Sequence, residues 1–361
     1  MKLALVGLSQ SGKTRVFGAL AGRDMSGAVF TREPAAAIIK VEDERLDFLT
    51  GVFNPQKKVN ADFELVDFGP APRKNETQAE SKAMNESELL GALRLSDGFL
   101  VVLRAFESAS TQPALGRVDA LAEWEELRGT FLLADAAQIE RKLERMQKLV
   151  KRGLKARSPE EMEYELLKRL KTELDELKIP DFKSLNSEDK KIAASYHFLS
   201  AKPALILLNV SEGDLSKIHP SEAEISKTHP TSRISAQVEM ELSQLPPADR
   251  DSFMKELGIT SLMRNRVVRA AYEALGLISF FTVGEDECRA WSVKKDASAV
   301  EAAGTIHTDF AKGFIRAEVV SYADFHAMPT YKELRAKGRA RLEGKEYAVQ
   351  DGDVIEFRFS V

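Results

Sequence analysis

The sequence predicts an α/β protein built on a mostly parallel sheet with helices on both faces. Three observations carry that expectation. The apolar strand KLALVG, starting at Lys2, runs into a glycine and serine loop and then into the helical stretch KTRVFGALAG, the order in which an α/β unit opens. The apolar runs that follow lack the polar alternation of a half-exposed strand, as strands buried on both faces of a parallel sheet do. A long helical period interrupts the series before its last strand, and short strand-like stretches follow it.

The elements read as follows. Strands are expected at IIKV (38–41), FELVDF (63–68), GFLVVLRAF (98–106) and ALILLNV (204–210). Between the last two, Ile139, Leu143, Met146, Val150 and Leu154 recur at spacings of three and four. Ser158-Pro159 interrupts, and Met162, Leu166, Leu170, Leu174 and Leu177 resume the period. That pattern predicts two helices joined by a turn, an antiparallel hairpin inserted into the sheet domain. Its first arm carries Arg141, Lys142, Arg145, Lys148, Lys151, Arg152, Lys155 and Arg157, either a solvated face or a docking surface for RNA or an acidic partner. From Ile278 onward ISFFTVG, RAWSVKK and FIRAEVVSY read as strands, and KEYAVQ and DVIEFRF as a hairpin through Asp351-Gly352. The expected division is 1–133 with 199–277 for the sheet domain, 134–198 for the hairpin and 278–361 for a small mixed sheet on a helix.

Composition narrows the function classes. A chain of 361 residues, 43% hydrophobic and 30% charged, has the length for two or three domains with real cores. A net charge of −4 gives no reason to expect a protein that coats nucleic acid or reads DNA sequence, so RNA contact would need a local patch. Cys288 is the only cysteine, which excludes disulfides within the chain and fits a reducing compartment. The N-terminal apolar stretch is too short for a signal peptide, and no run approaches the ~20 residues of a membrane span. A cytosolic monomer is expected. The five histidines show no i,i+4 pairing, so catalysis by a histidine-held metal is not expected.

GLSQSGKT, Gly7 to Thr14, matches G-x-x-x-x-G-K-[ST]. Its glycines let backbone N–H groups curl around phosphate oxygens at a helix N-terminus. Ser9, Gln10, Ser11, Gly12, Lys13, Thr14 and Arg15 are the expected phosphate-binding residues. Lys13 would neutralise the β- and γ-phosphates, and the Thr14 hydroxyl would ligate Mg²⁺.

AAGTIHTDFAKGFIRAEVVSY and LEGKEYAVQDGDVIEFRF, with the phosphate loop and the inserted hairpin, resemble the YchF/Obg-like ATPase family of P-loop NTPases over nearly the whole chain. The resemblance implies a C-terminal TGS domain of β-grasp fold, a ribosome-associated role and ATP as substrate, with GTP possible. It places Thr31, in FTREP, in the Mg²⁺ shell, and Asp67 as the carboxylate that holds the metal through water. It makes Asn209, Val210 and Glu212 base-binding, with Ser235, Ala236 and Gln237 near the base. Glu212 stands where most GTPases have aspartate; one methylene longer, its carboxylate would crowd the guanine edge, which weakens guanine selectivity. Asn209 could instead simply cap the end of its strand.

The second switch departs from the pattern. Related NTPases end the FELVD strand in Asp-x-x-Gly, whose glycine N–H donates to the γ-phosphate, but here the third position after Asp67 is Pro70, which has no N–H. Either Gly69 takes over as the catalytic donor or the contact is lost. The family assigns water positioning to a loop histidine, and no histidine occurs here before His197. Losing one charge-assisted hydrogen bond costs about 1.5–3 kcal/mol, roughly 10- to 100-fold in rate if it acts in the transition state. A slow ATPase is expected. The alternatives are a nucleotide-sensing module without turnover and a GTP-preferring GTPase.

Overall fold

The computed structural model describes residues 1–22, 34–69, 84–151, 153, 158–215, 217, 219–256 and 262–360. Thr31 and Pro70 lie outside these residues, as do Leu154, Arg152, Lys155 and Arg157 of the hairpin. In chain order the first strands are β1 (Lys2–Val6), β2 (Ala35–Val41), β3 (Lys57–Val59), β4 (Ala61–Asp67), β5 (Gly98–Ala105) and β6 (Ala204–Val210). There follow β7 (Thr231–Ile234), β8 (Leu277–Thr282), β9 (Glu287–Lys294), β10 (Phe314–Ser321), β11 (Arg341–Glu343) and β12 (Asp353–Phe359). Among the described residues they make two six-stranded sheets, ordered β2-β4-β1-β5-β6-β7 and β11-β10-β12-β8-β9-β3.

The chain forms two compact units, one of residues 1–37 and 65–263, the other of 38–64 and 264–361. In the first, β1, β5, β6 and β7 pair in parallel. Every residue of β5 is buried, which is why its sequence shows no alternation. The core between sheet and helices gathers Val101, Leu103, Ile206 and Leu208 with Trp124 and Phe131.

The long helix Ala120–Lys151 starts well before residue 134, where the hairpin was expected to begin, so its first turns pack on the sheet core and its later ones on the hairpin. The Ser158 hydroxyl accepts the Glu161 N–H at 3.2 Å and Pro159 opens the return helix, Pro159–Asp175; the missing proline N–H costs nothing in a first turn. Ile139 and Met146 meet Leu166, Leu167, Leu170 and Leu174 between the two helices. Leu177 falls after the helix end and is exposed, because the chain has already turned left-handed there. The fully buried Asp135 accepts from Arg94 at 2.6 Å, from the Leu199 and Ser200 N–H groups at 3.1 and 2.8 Å, and from the Ser200 hydroxyl at 2.8 Å. These bonds fasten the long helix to the segment that feeds β6.

In the second unit β8 to β12 and β3 form a mixed sheet over the helix Ala299–Ile306, which opens with a capping box of Ser298 and Glu301. KEYAVQ and DVIEFRF do not pair as the expected hairpin. The chain does turn at Asp351-Gly352, with the Asp353 N–H on the Gln350 carbonyl, but β12 pairs with β10 and β8. Among the described residues the preceding segment's β pairing is an isolated bridge, Ala348 to Ser298, and it meets β12 through the Asp353 carboxylate, which accepts from the Tyr347 hydroxyl and the Gln350 N–H. Asp351 has stronger partners than a hairpin turn: the Ser279 N–H at 3.0 Å and Arg45 at 2.7 Å. Among the described residues no helix is long and apolar enough to cross a membrane.

Candidate active site

The loop between β1 and the helix Lys13–Ala21 owes its shape to close approaches that only glycine permits. A Cβ on Gly7 would collide with the Val102 carbonyl, and one on Gly12, at φ 90°, would strike the side-chain amide of Asn209. Gln10 takes a left-handed φ of 63° without being glycine, at a cost of order 1–2 kcal/mol. The Ser11 N–H closes the loop on the Leu8 carbonyl at 3.4 Å. Ser11 is fully buried, while Ser9, Gln10 and Arg15 are exposed.

Lys13 begins the helix, and its ammonium donates to the Gly7 and Leu8 carbonyls at 2.7 and 2.9 Å. Burial pushes it below the usual lysine range, with Asp67 and Glu123 pulling the other way. Asp67 ends β4, is buried, and accepts from the Thr14 hydroxyl at 3.5 Å and from the Gly69 N–H at 2.9 Å. Burial pushes its carboxyl above the ordinary range, opposed by the Gly69 N–H, Lys13 and Thr14. A cation and a carboxylate therefore face one loop from desolvated positions, where charge on a ligand is felt most strongly.

Mg²⁺ takes hydroxyl, carboxylate, water and phosphate oxygens and needs only one or two carboxylates from a protein. The Thr14 hydroxyl and Asp67 carboxylate bring two such oxygens together at the loop, so the donor set fits. Among the described residues no cluster of three or more His, Cys, Asp or Glu could hold a metal alone. Gly69, expected as a γ-phosphate donor, directs its N–H to Asp67.

Asn209 sits at the end of β6, and both ends of its amide are engaged. Its Nδ2 donates to the Ser11 carbonyl at 3.1 Å, and its Oδ1 accepts the Ala236 N–H at 3.2 Å. One side chain thus brackets the phosphate loop and the start of the helix Ala236–Gln244, which Ser235 caps by accepting the Val238 N–H. Val210 is buried beside it. Glu212 opens a single exposed turn, Glu212–Asp214. Gln237 is exposed and donates to Glu241 at 3.0 Å. Asn209, Ser235 and Ala236 are gathered at the loop; Glu212 and Gln237 make no hydrogen bond to it.

Arg104 and Glu123 escaped the sequence reading. Both are fully buried, and the Glu123 carboxylate accepts the Arg104 N–H at 2.9 Å. Burial raises the Glu123 carboxyl, while the Arg104 N–H, Arg104 and Lys13 lower it. The available signal was a lone charge inside GFLVVLRAF, since a buried arginine demands acceptors. The histidines show packing and capping roles: His229 lies edge-on to Trp124 at 4.8 Å, and His307 Nδ1 accepts the Asp309 N–H. Cys288 is buried.

A parallel sheet whose first strand empties into this loop, with a lysine, a hydroxyl and a strand-end carboxylate converging on it, defines a P-loop NTPase. The comparisons narrow the class. Residues 277–360 match the family model YchF-GTPase_C, described as a protein of unknown function (DUF933). The chain is 35% identical to the ribosome-binding ATPase YchF of Bacillus subtilis (strain 168), covering 99% of this chain and 98% of that one. It is 32% identical to Obg-like ATPase 1 of Oryza sativa subsp. japonica, over 100% and 92%. The solved structure of the Schizosaccharomyces pombe YchF GTPase superposes with a TM-score of 0.83 at 28% identity, covering 99% of this chain and 97% of the other. The chain belongs to the YchF/Obg-like ATPase family.

Proposed function

We propose that the protein is a Mg²⁺-dependent nucleoside triphosphatase, slow in turnover and selective for ATP over GTP, that acts as a regulatory switch on the ribosome in the cytoplasm. The observation that carries this reading is the loop Gly7–Thr14, with Lys13, Thr14 and Asp67 converging on it. Lys13 would exchange the Gly7 and Leu8 carbonyls for phosphate oxygens, and Ser9 to Arg15 would line the phosphates. Thr14 and Asp67 would hold the metal, joined by Thr31. Bound Mg²⁺ neutralises charge on the β- and γ-oxygens. Asn209 keeps one amide hydrogen beyond the one spent on Ser11, and with Val210, Ser235 and Ala236 it forms the base end of the site. Glu212 and Gln237 would reach the base from exposed positions.

The ribosomal partner comes from the relatives named ribosome-binding. The first arm of the hairpin supports it, since Arg141, Arg145 and Lys151 are exposed there, while Lys142 pairs with Glu163 at 3.0 Å. In this reading the hairpin, 134–198, and the TGS-like segment, 278–361, are the parts that nucleotide repositions on the partner. Calorimetry with ATP and GTP in Mg²⁺, and identification of nucleotide retained on purification, test the assignment. Tight GTP binding with undetectable ATP binding overturns the base assignment.

One observation favours a second reading, a nucleotide sensor without turnover: the Gly69 N–H serves Asp67, and Pro70 offers none. Single-turnover hydrolysis by the wild type beside Pro70→Gly separates the two. The glycine variant is expected to be about 10- to 100-fold faster; an equal, brisk rate in both refutes this role for the proline.

A further inference from the structure

Arg104 lies in the same strand row as Asn209, the two being register partners at the ends of β5 and β6. Each reaches back to the phosphate loop. Asn209 takes the Ser11 carbonyl, as above, and Arg104 Nη1 takes the carbonyl of Gln10, the residue before it, at 3.4 Å. The rest of the guanidinium is anchored behind the loop. Nε donates to the Phe106 carbonyl at 3.1 Å and Nη2 to the Thr111 carbonyl at 2.9 Å, and Cζ lies 4.7 Å from the centre of the Phe106 ring. A fully buried guanidinium is costly unless it is hydrogen-bonded; here each of its three nitrogens donates to a backbone carbonyl, from two separate segments.

We infer that Arg104 is a positioning residue, whose guanidinium clamps the Gln10 carbonyl and so holds the phosphate loop in the left-handed turn that phosphate binding uses. The inference rests on the nucleotide-binding reading above. Gln10 is the loop's one non-glycine residue with positive φ, so the turn needs outside support that a glycine there would not need. In a planar trans peptide the carbonyl and the following N–H point opposite ways. Fixing the Gln10 and Ser11 carbonyls toward Arg104 and Asn209 therefore fixes the directions of the Ser11 and Gly12 N–H groups. Lysine cannot replace this fork, because one ammonium cannot span three acceptors set in different directions.

The test is a double-mutant cycle between Arg104→Lys and Gln10→Gly, read as affinity for a non-hydrolysable ATP analogue with Mg²⁺. Melting without nucleotide checks each fold. Arg104→Gln, which buries no charge, serves as the second variant if the lysine form is unstable. Either Arg104 change is expected to weaken binding about 10- to 30-fold in the wild-type loop and less than about 3-fold once Gln10 is glycine. Equal losses in both backgrounds would show that Arg104 acts on the fold and not through Gln10, overturning the inference. Unchanged affinity in the Arg104 variants, with the wild type binding normally, overturns it as well and leaves the nucleotide reading standing. A wild type that binds neither ATP nor GTP analogues overturns both.

Discussion

Gly12 shows how much of the candidate site hangs on one missing methyl group. Its φ of 90° is a left-handed conformation, and a Cβ there would strike the Asn209 amide that braces Ser11. Alanine would thus carry two penalties, about 1–2 kcal/mol for the backbone and about 1 kcal/mol for the displaced hydrogen bond from Asn209 to the Ser11 carbonyl. Gly12→Ala is expected to weaken ATP binding by about 30- to 150-fold while leaving the second unit's sheet intact, as calorimetry and circular dichroism would show. Affinity within about 3-fold of wild type would mean that the amide moves at no cost. Gly12, Lys13 and Thr14 were legible in the sequence because the motif fixes their spacing to one another. Arg104 was not, because its acceptors are backbone carbonyls, which carry no residue signature. Asn209 was legible as a residue of the site, but its two-ended bracket depends on the ends of β1 and β6 coming together, which spacing along the chain does not encode.

At the scale of elements, Glu318 in the middle of β10 ties its sheet to the short helix Tyr331–Ala336. Arg335 grips it with two bonds, at 2.8 and 2.7 Å, and Arg358 on β12 adds a third at 3.3 Å. The Arg335 guanidinium, with Arg358 and against the opposing effect of burial, holds Glu318 below the usual carboxylate range. A carboxylate with a depressed folded value contributes stability that is fully present above its unfolded value, near pH 4.3, and lost as pH falls through the folded value. Glu318→Gln should therefore destabilise the second unit at neutral pH by about 1–3 kcal/mol and flatten its loss of stability below about pH 4. Trp124 and Trp291 are the only tryptophans, so a Trp124→Phe background lets Trp291 fluorescence report that unit alone. An acid limb as steep as wild type would remove Glu318 from the account. The buried strands of the first sheet were readable because burial on both faces leaves an apolar run. β3 was not, since KKV is short and polar and becomes a strand only by pairing with β9. The Asp351-Gly352 turn misled for the converse reason, a local hairpin signal outweighed by distant partners.

For the whole molecule, the course of the chain through its two units sets a test of how nucleotide energy is distributed. The chain passes between them at residues 37–38, 64–65 and 263–264, so the division falls inside β2 and β4, and Asp67 belongs to the same unit as Lys13. A ligand that binds only the folded first unit stabilises it by about 2.7 kcal/mol at a hundredfold excess over Kd. Amides that exchange only when that unit opens should then slow about 100-fold. Under saturating ATP analogue and Mg²⁺, that slowing is expected in the helix Lys13–Ala21, at the ends of β5 and β6, and at Leu65–Asp67. Amides of Ala61–Glu64 and of β8, β10 and β12 should exchange at their former rates, although Ala61–Glu64 continues the same strand as Asp67. Hydrogen exchange read by peptide fragments resolves the two halves of β4. Equal slowing across both units would show that they open as one cooperative body, and the division inside β4 would carry no energetic meaning. Slowing in neither would leave the phosphate loop without the ligand its lysine, hydroxyl and carboxylate are arranged to hold.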